Sequence, residues 1–164
     1  MMNRFVYNHK GFSIIELSVA AIIMSLIVVG ILTVDLMTVT AWREGGVQLT
    51  LQRKAGVVME KMVRGIDGLN GIREAGNINI PNNNTILYVS GINAIQRSFS
   101  LVGNDIMYDP DTAVAGNEFS IADMVNNLNF AINGDVVTIT LGMRERVRDT
   151  NIDALLTTQI MIRN

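Results

Sequence analysis

The side chains that carry most enzyme chemistry are scarce in this chain. Cysteine is absent and His9 is the single histidine, so thiol catalysis and thiolate metal sites are excluded. Any Ser–His or His–metal constellation would depend on His9 alone. Carboxylates could still act as general acids and bases, but no paired motif singles out one of each. We therefore expect a protein that is not an enzyme and uses no cofactor.

Four carboxylates lie in a short segment that is also rich in turn residues. Grouped hard oxygen ligands of this kind are what calcium prefers, but their spacing matches no EF-hand loop. Acidic turns are more often solvated than metal-bound, so these residues are weak calcium candidates and we assign no metal site. The four are Asp105, Asp109, Asp111 and Glu118.

Three arginines alternate along one segment near the C-terminus, Arg144, Arg146 and Arg148, with Glu145 and Asp149 beside them. One face of a strand with these arginines could contact DNA or a neighbouring protein. The whole chain has 13 basic and 15 acidic residues, a net charge of -2, whereas nucleic-acid binding needs a clustered basic patch. A solvated face of mixed charge fits better, and nucleic acid is not an expected partner.

Glu16 is the one ionisable residue in an apolar run from Phe12 to Val34. As a helix this run is long enough to cross a hydrocarbon core of about 30 Å. A charge placed centrally in such a span costs roughly 2.5 to 3.5 kcal/mol on insertion scales. Glu16 either reaches the membrane interface from the end of the helix or has a cationic partner inside an assembly.

The segment from Lys10 to Leu17, KGFSIIEL, resembles the processing site of type IV prepilins. The shared pattern is a basic residue and glycine before phenylalanine, then a small hydroxyl residue, two aliphatic residues, glutamate and leucine. The resemblance implies cleavage between Gly11 and Phe12 by a membrane prepilin peptidase and N-methylation of Phe12. It also implies that Glu16 pairs with the new terminal amine of a neighbouring subunit.

The charges on either side of the apolar run predict its orientation. Arg4 and Lys10 precede it, whereas Asp35, Arg43 and Glu44 follow it without a basic excess. The positive-inside rule then places the N-terminus in the cytoplasm and exports the remainder. A secretory signal peptide fits less well, because no small-residue cleavage pattern follows the run. The prepilin resemblance implies a single pass through the inner membrane, with the globular part periplasmic or extracellular, and later incorporation into a filament.

A second helical pattern follows the span and predicts an amphipathic helix over residues 35–70. Apolar residues recur at steps of three and four, which would place them on one face against a sheet. Gly45 and Gly46 interrupt this pattern and suggest a bend or local melting. The segment from Gly68 to Gly71 should end the helix, and Gly76–Asn84 should form an exposed loop. The stripe is Leu51, Ala55, Val58, Met59, Met62, Ile66 and Leu69.

The rest of the chain, residues 71–164, alternates with a period of two and predicts an antiparallel sheet. Asn133-Gly134 suits a type I′ hairpin turn, and Gly103-Asn104 is a second hairpin candidate. Together with the helix, these strands predict an α+β fold of the type IV pilin kind. The predicted strands are Thr85–Ser90, Gln96–Val102, Asp105–Asp109, Leu128–Asn133, Val136–Leu141 and Thr157–Arg163.

These elements define a leader over residues 1–11, a transmembrane helix over 12–34, an amphipathic helix over 35–70 and a β domain over 71–164. The closing segment Thr157–Asn164 resembles the terminal strand of minor pilins and pseudopilins of the J or W type. The resemblance implies a minor subunit of a type IV pilus or type II secretion pseudopilus. Its partners would be other pilin or pseudopilin subunits, the prepilin peptidase, the inner-membrane assembly platform and, before assembly, the lipid membrane.

Three other functions are compatible with the same residues. A major pilin or pseudopilin would use the same helix and differ in abundance within the filament. A filament-displayed binding module would hold DNA, a surface or a secretion substrate through its β domain. A stand-alone anchored domain would never assemble, and for that protein Glu16 would be dispensable.

Overall fold

A computed structural model describes residues 13–90 and 94–162 of the chain and has the expected α+β fold. One long helix, α1 (Ile14–Arg64), is followed by a short 3-10 helix (Ile72–Glu74) and by strands in two antiparallel sheets. One sheet has the order β1-β2-β3-β4-β5 and the other β6-β7-β8. The strands are β1 (Ala75–Asn82), β2 (Thr85–Ser90), β3 (Gln96–Val102), β4 (Asp105–Asp109), β5 (Phe119–Ala122), β6 (Val125–Asn133), β7 (Val136–Val147) and β8 (Thr150–Met161).

The chain falls into two compact units that divide between Arg43 and Glu44. In the first unit, α1 has no buried residue from Ile14 to Arg43. This part of the helix is long and apolar enough to cross a membrane. In the second unit, α1 continues to Arg64 and packs on the sheets.

The apolar stripe predicted for the second half of α1 is confirmed from Leu51 to Met62, whereas Ile66 and Leu69 lie beyond the end of the helix. Leu51, Ala55 and Met62 have no exposed surface, and Val58 and Met59 are also buried. These side chains join a single core cluster with residues from both sheets, including Ile86, Phe99, Leu128 and Leu141. The apolar face of this part of the helix therefore closes the core of the second unit.

The helix ends at Arg64, several residues before the predicted stop at Gly68–Gly71. Gly65 adopts φ 102°, a conformation that favours glycine, and its amide donates to the Lys61 carbonyl at 2.8 Å. A Cβ at Gly65 would collide with the Leu69 carbonyl oxygen. The prediction failed because the first suitable glycine, not the later cluster, terminates the helix.

The local melting that was one expectation for Gly45–Gly46 is absent, because both residues lie within the continuous helix. The alternative, a bend, stays a prediction. The side-chain hydroxyl of Thr50 donates to the Gly46 carbonyl, one helical turn earlier, at 3.0 Å. Two glycines cost about 1 kcal/mol each in a helix interior, and the surrounding hydrogen-bond ladder outweighs that cost.

Strand prediction succeeded where alternation was strong and failed in two places. β2, β3 and β4 have the predicted bounds, and β6, β7 and β8 are longer or begin earlier than predicted. β5 had no prediction. β1 was predicted as an exposed loop because of its asparagines and Pro81. It is nevertheless an outer strand, where a proline that lacks an N–H group can be tolerated.

Both predicted hairpins are present. Val102 pairs with Asp105 and Asn133 pairs with Val136, which leaves two-residue loops. Gly103 has φ 65° and Gly134 has φ 59°. Asp135, the second loop residue, does not share the positive φ that a type I′ turn requires. A positive φ at the first position alone is the type II′ arrangement, so the expected turn type was wrong.

Aromatic side chains cross the inner face of the five-stranded sheet. Phe99 stacks between Tyr88 and Tyr108, with ring centroids 5.7 Å and 4.8 Å away. Tyr108 meets Phe119 edge to face at 5.4 Å. The Tyr88 hydroxyl donates to the Asn70 carbonyl at 3.1 Å, which fixes the turn after α1. This row of aromatic side chains, Tyr88, Phe99, Tyr108 and Phe119, therefore connects β2, β3, β4 and β5 to the turn that follows α1.

We predict that Phe99→Ala lowers the free energy of unfolding of the second unit by about 3–5 kcal/mol, because it leaves a cavity between two tyrosines. Urea unfolding of the full chain in detergent, followed by circular dichroism of the β signal, measures the change. Phe119→Ala is the matched control, since Phe119 is 42% exposed and should cost clearly less. Equal losses at the two positions would contradict the central role of Phe99.

Candidate functional site

The residues expected to carry function lie at the start of α1. Gly11 and Phe12, the predicted cleavage and methylation positions, fall outside the described residues. Glu16 lies in the first turn of the helix, where a negative charge is favourable because the backbone amides there carry partial positive charge. The described part of the site therefore begins at Ser13.

Ser13 and Glu16 form a capping box at the first turn of α1. The Glu16 Oε2 atom accepts a hydrogen bond from the Ser13 amide at 3.0 Å, and the Ser13 Oγ atom accepts one from the Ile15 amide at 3.3 Å. The first helical bond runs from the Leu17 amide to the Ser13 carbonyl at 3.1 Å. The Ser-x-x-Glu spacing in the sequence predicts a capping box of this kind. Our sequence interpretation considered Glu16 only as a charge and missed it.

The cap gives Glu16 a hydrogen bond but no counter-charge. An ionised carboxylate has about four lone-pair sites, so one backbone amide leaves it able to accept from another donor. A neutral amide also cannot offset the cost of moving a negative charge into hydrocarbon. The geometry therefore orients Glu16 and leaves its charge to be neutralised by a group from elsewhere.

Polar side chains along the exposed part of α1 satisfy their hydrogen bonds within the helix. Each serine and threonine hydroxyl between Ile14 and Thr40 donates to a backbone carbonyl three or four residues earlier, at 2.7 to 2.9 Å. Hydrocarbon requires this arrangement because it offers no hydrogen-bond partner. The five residues are Ser18, Ser25, Thr33, Thr38 and Thr40.

The apolar side chains of the same segment are not covered by any part of the chain in residues 13–90 and 94–162. Every large apolar residue from Ile14 to Val39 is at least half exposed, from 50% at Val19 to 83% at Ile14. Soluble monomers rarely expose a continuous apolar surface of this extent. The segment must therefore be covered by lipid or by other protein surfaces.

The structure does not bring the four calcium candidates together. Asp105 and Asp109 lie at opposite ends of β4, roughly 13 Å apart at strand rise. Asp109 Oδ1 accepts from the Asp111 amide and Asp111 Oδ1 from the Ala113 amide, each at 3.0 Å, as in ordinary turns. Glu118 comes just before β5. Within the described ranges, no three acidic or histidine side chains are placed to share a metal ion.

Arg144 and Arg146 of β7 contact acidic or carbonyl groups of their own hairpin. Arg144 makes a two-pronged contact with Asp153 of β8, at 2.6 and 3.1 Å. Arg146 lies 3.5 Å from Asp149 and donates to the Arg148 carbonyl at 3.1 Å. These contacts favour the solvated face of mixed charge over a surface for nucleic acid.

A buried polar group that the sequence did not reveal lies at the edge of the aromatic row. Arg97 is 4% exposed and pairs across the strands with Tyr88, and its Nε and Nη1 atoms have no hydrogen-bond partner among the described residues. Burial raises the pKa of both the Tyr88 and the Tyr108 phenols. Both phenols therefore stay neutral near pH 7 and supply neither a base nor a counter-charge to Arg97.

A groove of the second unit with a mostly apolar lining lies between α1 and β5. It has a volume of about 390 Å³, and Val57, Ile121 and Met143 contribute to its apolar lining. Lys54 and Asp123 face each other at 3.8 Å beside it. The residues that line it include no nucleophile with an adjacent base, so the groove offers apolar contact rather than catalysis.

No family model, curated protein or solved structure matches this chain. The likeness to prepilins therefore depends on the segment from Lys10 to Leu17 and on the architecture. One long apolar N-terminal helix followed by antiparallel sheets is compatible with a pilin-like fold.

We predict a pH-dependent contribution from the pair of Arg144 and Asp153. The hydrogen bonds from Arg144 lower the pKa of Asp153 below its ordinary value of 3.8. A lowered pKa stabilises the folded state above pH 3.8, and the contribution is lost as pH falls through the folded pKa. Carboxyl NMR titration should place the Asp153 midpoint below 3.8, and Arg144→Gln should raise it. An unchanged midpoint in the variant would contradict the assignment.

Proposed function

We propose that this chain is a minor pilin or minor pseudopilin subunit of a type IV pilus or a type II secretion pseudopilus. The observation that carries the proposal is the first part of α1, an uncovered apolar helix with one carboxylate in its first turn. The processing-site resemblance of Lys10–Leu17 lies directly before and across that turn. An apolar helix joined to a folded β unit is what a filament subunit with a helical core requires.

Assembly follows from the chemistry of the first turn. Before processing, the apolar run after residues 1–11 would hold the precursor in the inner membrane, and the basic leader would keep the N-terminus in the cytoplasm. Cleavage after Gly11 would release the amine of Phe12, which prepilin peptidase would then methylate. The apolar surfaces of neighbouring helices would exchange their contacts with lipid for contacts with each other. This packing would keep them out of water once the filament emerges from the membrane.

Glu16 would set the axial position of each subunit. A terminal ammonium makes a charge-assisted hydrogen bond to a carboxylate, which is stronger than a bond from a neutral amide. In a low-dielectric helical core an unpaired Glu16 charge is costly, so only alignments that bring an ammonium to it are stable. Single buried polar groups fix register in coiled coils in the same way.

We predict that the cellular protein begins at Phe12 with a methylated amine. Intact-mass spectrometry and N-terminal peptide mapping of the protein from cells with and without prepilin peptidase would measure this. Gly11→Leu should block the cut, because the processing pattern requires the small residue before Phe12. An intact Met1 start in peptidase-containing cells, or a cut elsewhere, would contradict the proposal.

We predict that Glu16→Gln keeps processing and the helix cap but abolishes incorporation into filaments. Glutamine can fill the same position of a capping box, so this variant removes the charge and retains the local hydrogen bond. Sheared filaments and membranes, compared by immunoblot, measure incorporation against precursor and processed protein.

Ser13→Ala is the matched control for this experiment. It removes the hydroxyl cap, at a cost of about 0.5–2 kcal/mol to the first turn, and leaves the Glu16 charge in place. Incorporation should therefore persist in Ser13→Ala. If Glu16→Gln assembled normally, the charge pairing would be refuted. If neither the parent chain nor any variant entered filaments, a stand-alone anchored domain would explain the chain better.

A further inference from the structure

Trp42 is the single tryptophan of the chain and one of its most exposed side chains. It lies on α1 in the first unit and is 81% exposed. Arg43 and Glu44 follow it directly. Neither the filament proposal nor the core of the second unit gives this large side chain a role.

The positions of the charged residues on α1 indicate how far Trp42 lies from the hydrocarbon core of a membrane. Between Ile14 and Trp42 the charged residues are Glu16 and Asp35, nineteen positions apart. At about 1.5 Å per residue they are separated by about 28 Å, close to the thickness of a hydrocarbon core of about 30 Å. Asp35 therefore marks the boundary from which the chain leaves the hydrocarbon.

Trp42 lies seven positions beyond Asp35, about 10 Å further along the helix. The headgroup layer on each side of a bilayer is about 5–8 Å thick. Helical side chains lean towards the N-terminus of their helix, so the indole reaches back towards the membrane from its own Cα. This direction brings the ring into the headgroup layer while Arg43 and Glu44 remain in water.

The residues between Asp35 and Trp42 fit the same layer. They carry no charge, and Leu36, Met37 and Val39 are 71%, 68% and 51% exposed. The Thr38 and Thr40 hydroxyls donate to carbonyls of their own helix. Side chains of this kind gain little from full exposure to water, and tryptophan is enriched where one end of the ring is apolar and the other wet.

We propose that the segment Leu36–Trp42 lies in the phospholipid headgroup layer of the membrane face from which the chain emerges, with the Trp42 indole as its anchor. This inference rests on the proposed membrane span and adds a site that sets its depth. The anchor holds Glu16 near the opposite boundary of the hydrocarbon. The ligand is the headgroup and glycerol region of a bilayer, and a neighbouring helix is the competing occupant.

The chain carries its own probe for this site, because all intrinsic tryptophan fluorescence comes from Trp42. The full chain is reconstituted in phosphatidylcholine vesicles that carry bromine either near the top or near the end of the acyl chains. We expect the shallow label to quench Trp42 roughly twofold more than the deep label, and emission to shift to the blue on insertion, as for interfacial tryptophan.

A matched variant separates this site from the membrane span itself. Trp42→Phe combined with Ile27→Trp moves the only indole to the middle of the span, where Ile27 is 51% exposed. In this variant the deep label should quench more than the shallow one. Vesicle flotation of both proteins measures insertion independently of fluorescence.

Three results would overturn the inference. In the first, the deep label quenches the indole of the Ile27→Trp variant, whereas Trp42 of the parent chain is quenched by neither label and is quenched by aqueous iodide. The anchor is then absent, although the membrane span is retained. If Trp42 is shielded from both labels and from iodide, a neighbouring chain covers it and the lipid assignment fails. If neither position is quenched and the protein does not float with vesicles, the membrane span fails and the anchor fails with it.

Discussion

Apolar side chains on the first part of α1 have no cover from the part of the chain that the structure describes, and this constraint governs the rest of the molecule. From Leu17 to Val34 the helix has no charge, and its hydroxyl groups donate to its own backbone. Such a surface is stable against lipid or against similar helices and unstable in water. The second unit, by contrast, buries the later apolar stripe of the same helix around Leu51 and Met62. The first part of α1 is thus apolar on all sides, whereas the second part is apolar only on the face that packs against the sheets.

The Glu16 side chain in the first turn of α1 has two roles, one in its own helix and one in the proposed contact with a neighbouring subunit. Glu16 caps its own helix through the Ser13 amide, which gives the carboxylate a fixed direction before any partner arrives. Its charge remains uncompensated within the described chain, which would be costly in hydrocarbon, and the proposed assembly would use this cost to align subunits. The cap and the proposed intersubunit pair do not exclude each other, because a carboxylate accepts several hydrogen bonds. Preorganisation of Glu16 by Ser13 would lower the entropy lost when a neighbour's amine binds.

Much of the fold was predictable from the sequence because its patterns are local. The stripe from Leu51 to Met62 and the alternation in β2, β3 and β4 each specify a buried face directly. β1 escaped prediction because its asparagines look like a loop, and only the pairing with β2 shows that it is a strand. Arg97 was equally hidden, since an arginine in a strand gives no sign that the fold will bury it. At the site, Glu16 was predicted to matter for its charge. Its role in capping the helix was missed, although the Ser-x-x-Glu spacing that predicts it is visible in the sequence.

Both sheets are simple meanders in which each strand pairs with the strand next to it in sequence. Hairpin contacts of this kind close short loops and form quickly, whereas pairing between distant strands is slow. In the proposed export, the residues after the membrane span would cross first and the C-terminal strands last, so each strand would meet its partner soon after crossing. No early strand would remain unpaired, with its backbone groups open to aggregation, until a late one had crossed. Translocation and folding would then proceed in the same direction along the chain, and only the closure of the two meanders over α1 would depend on the last strand.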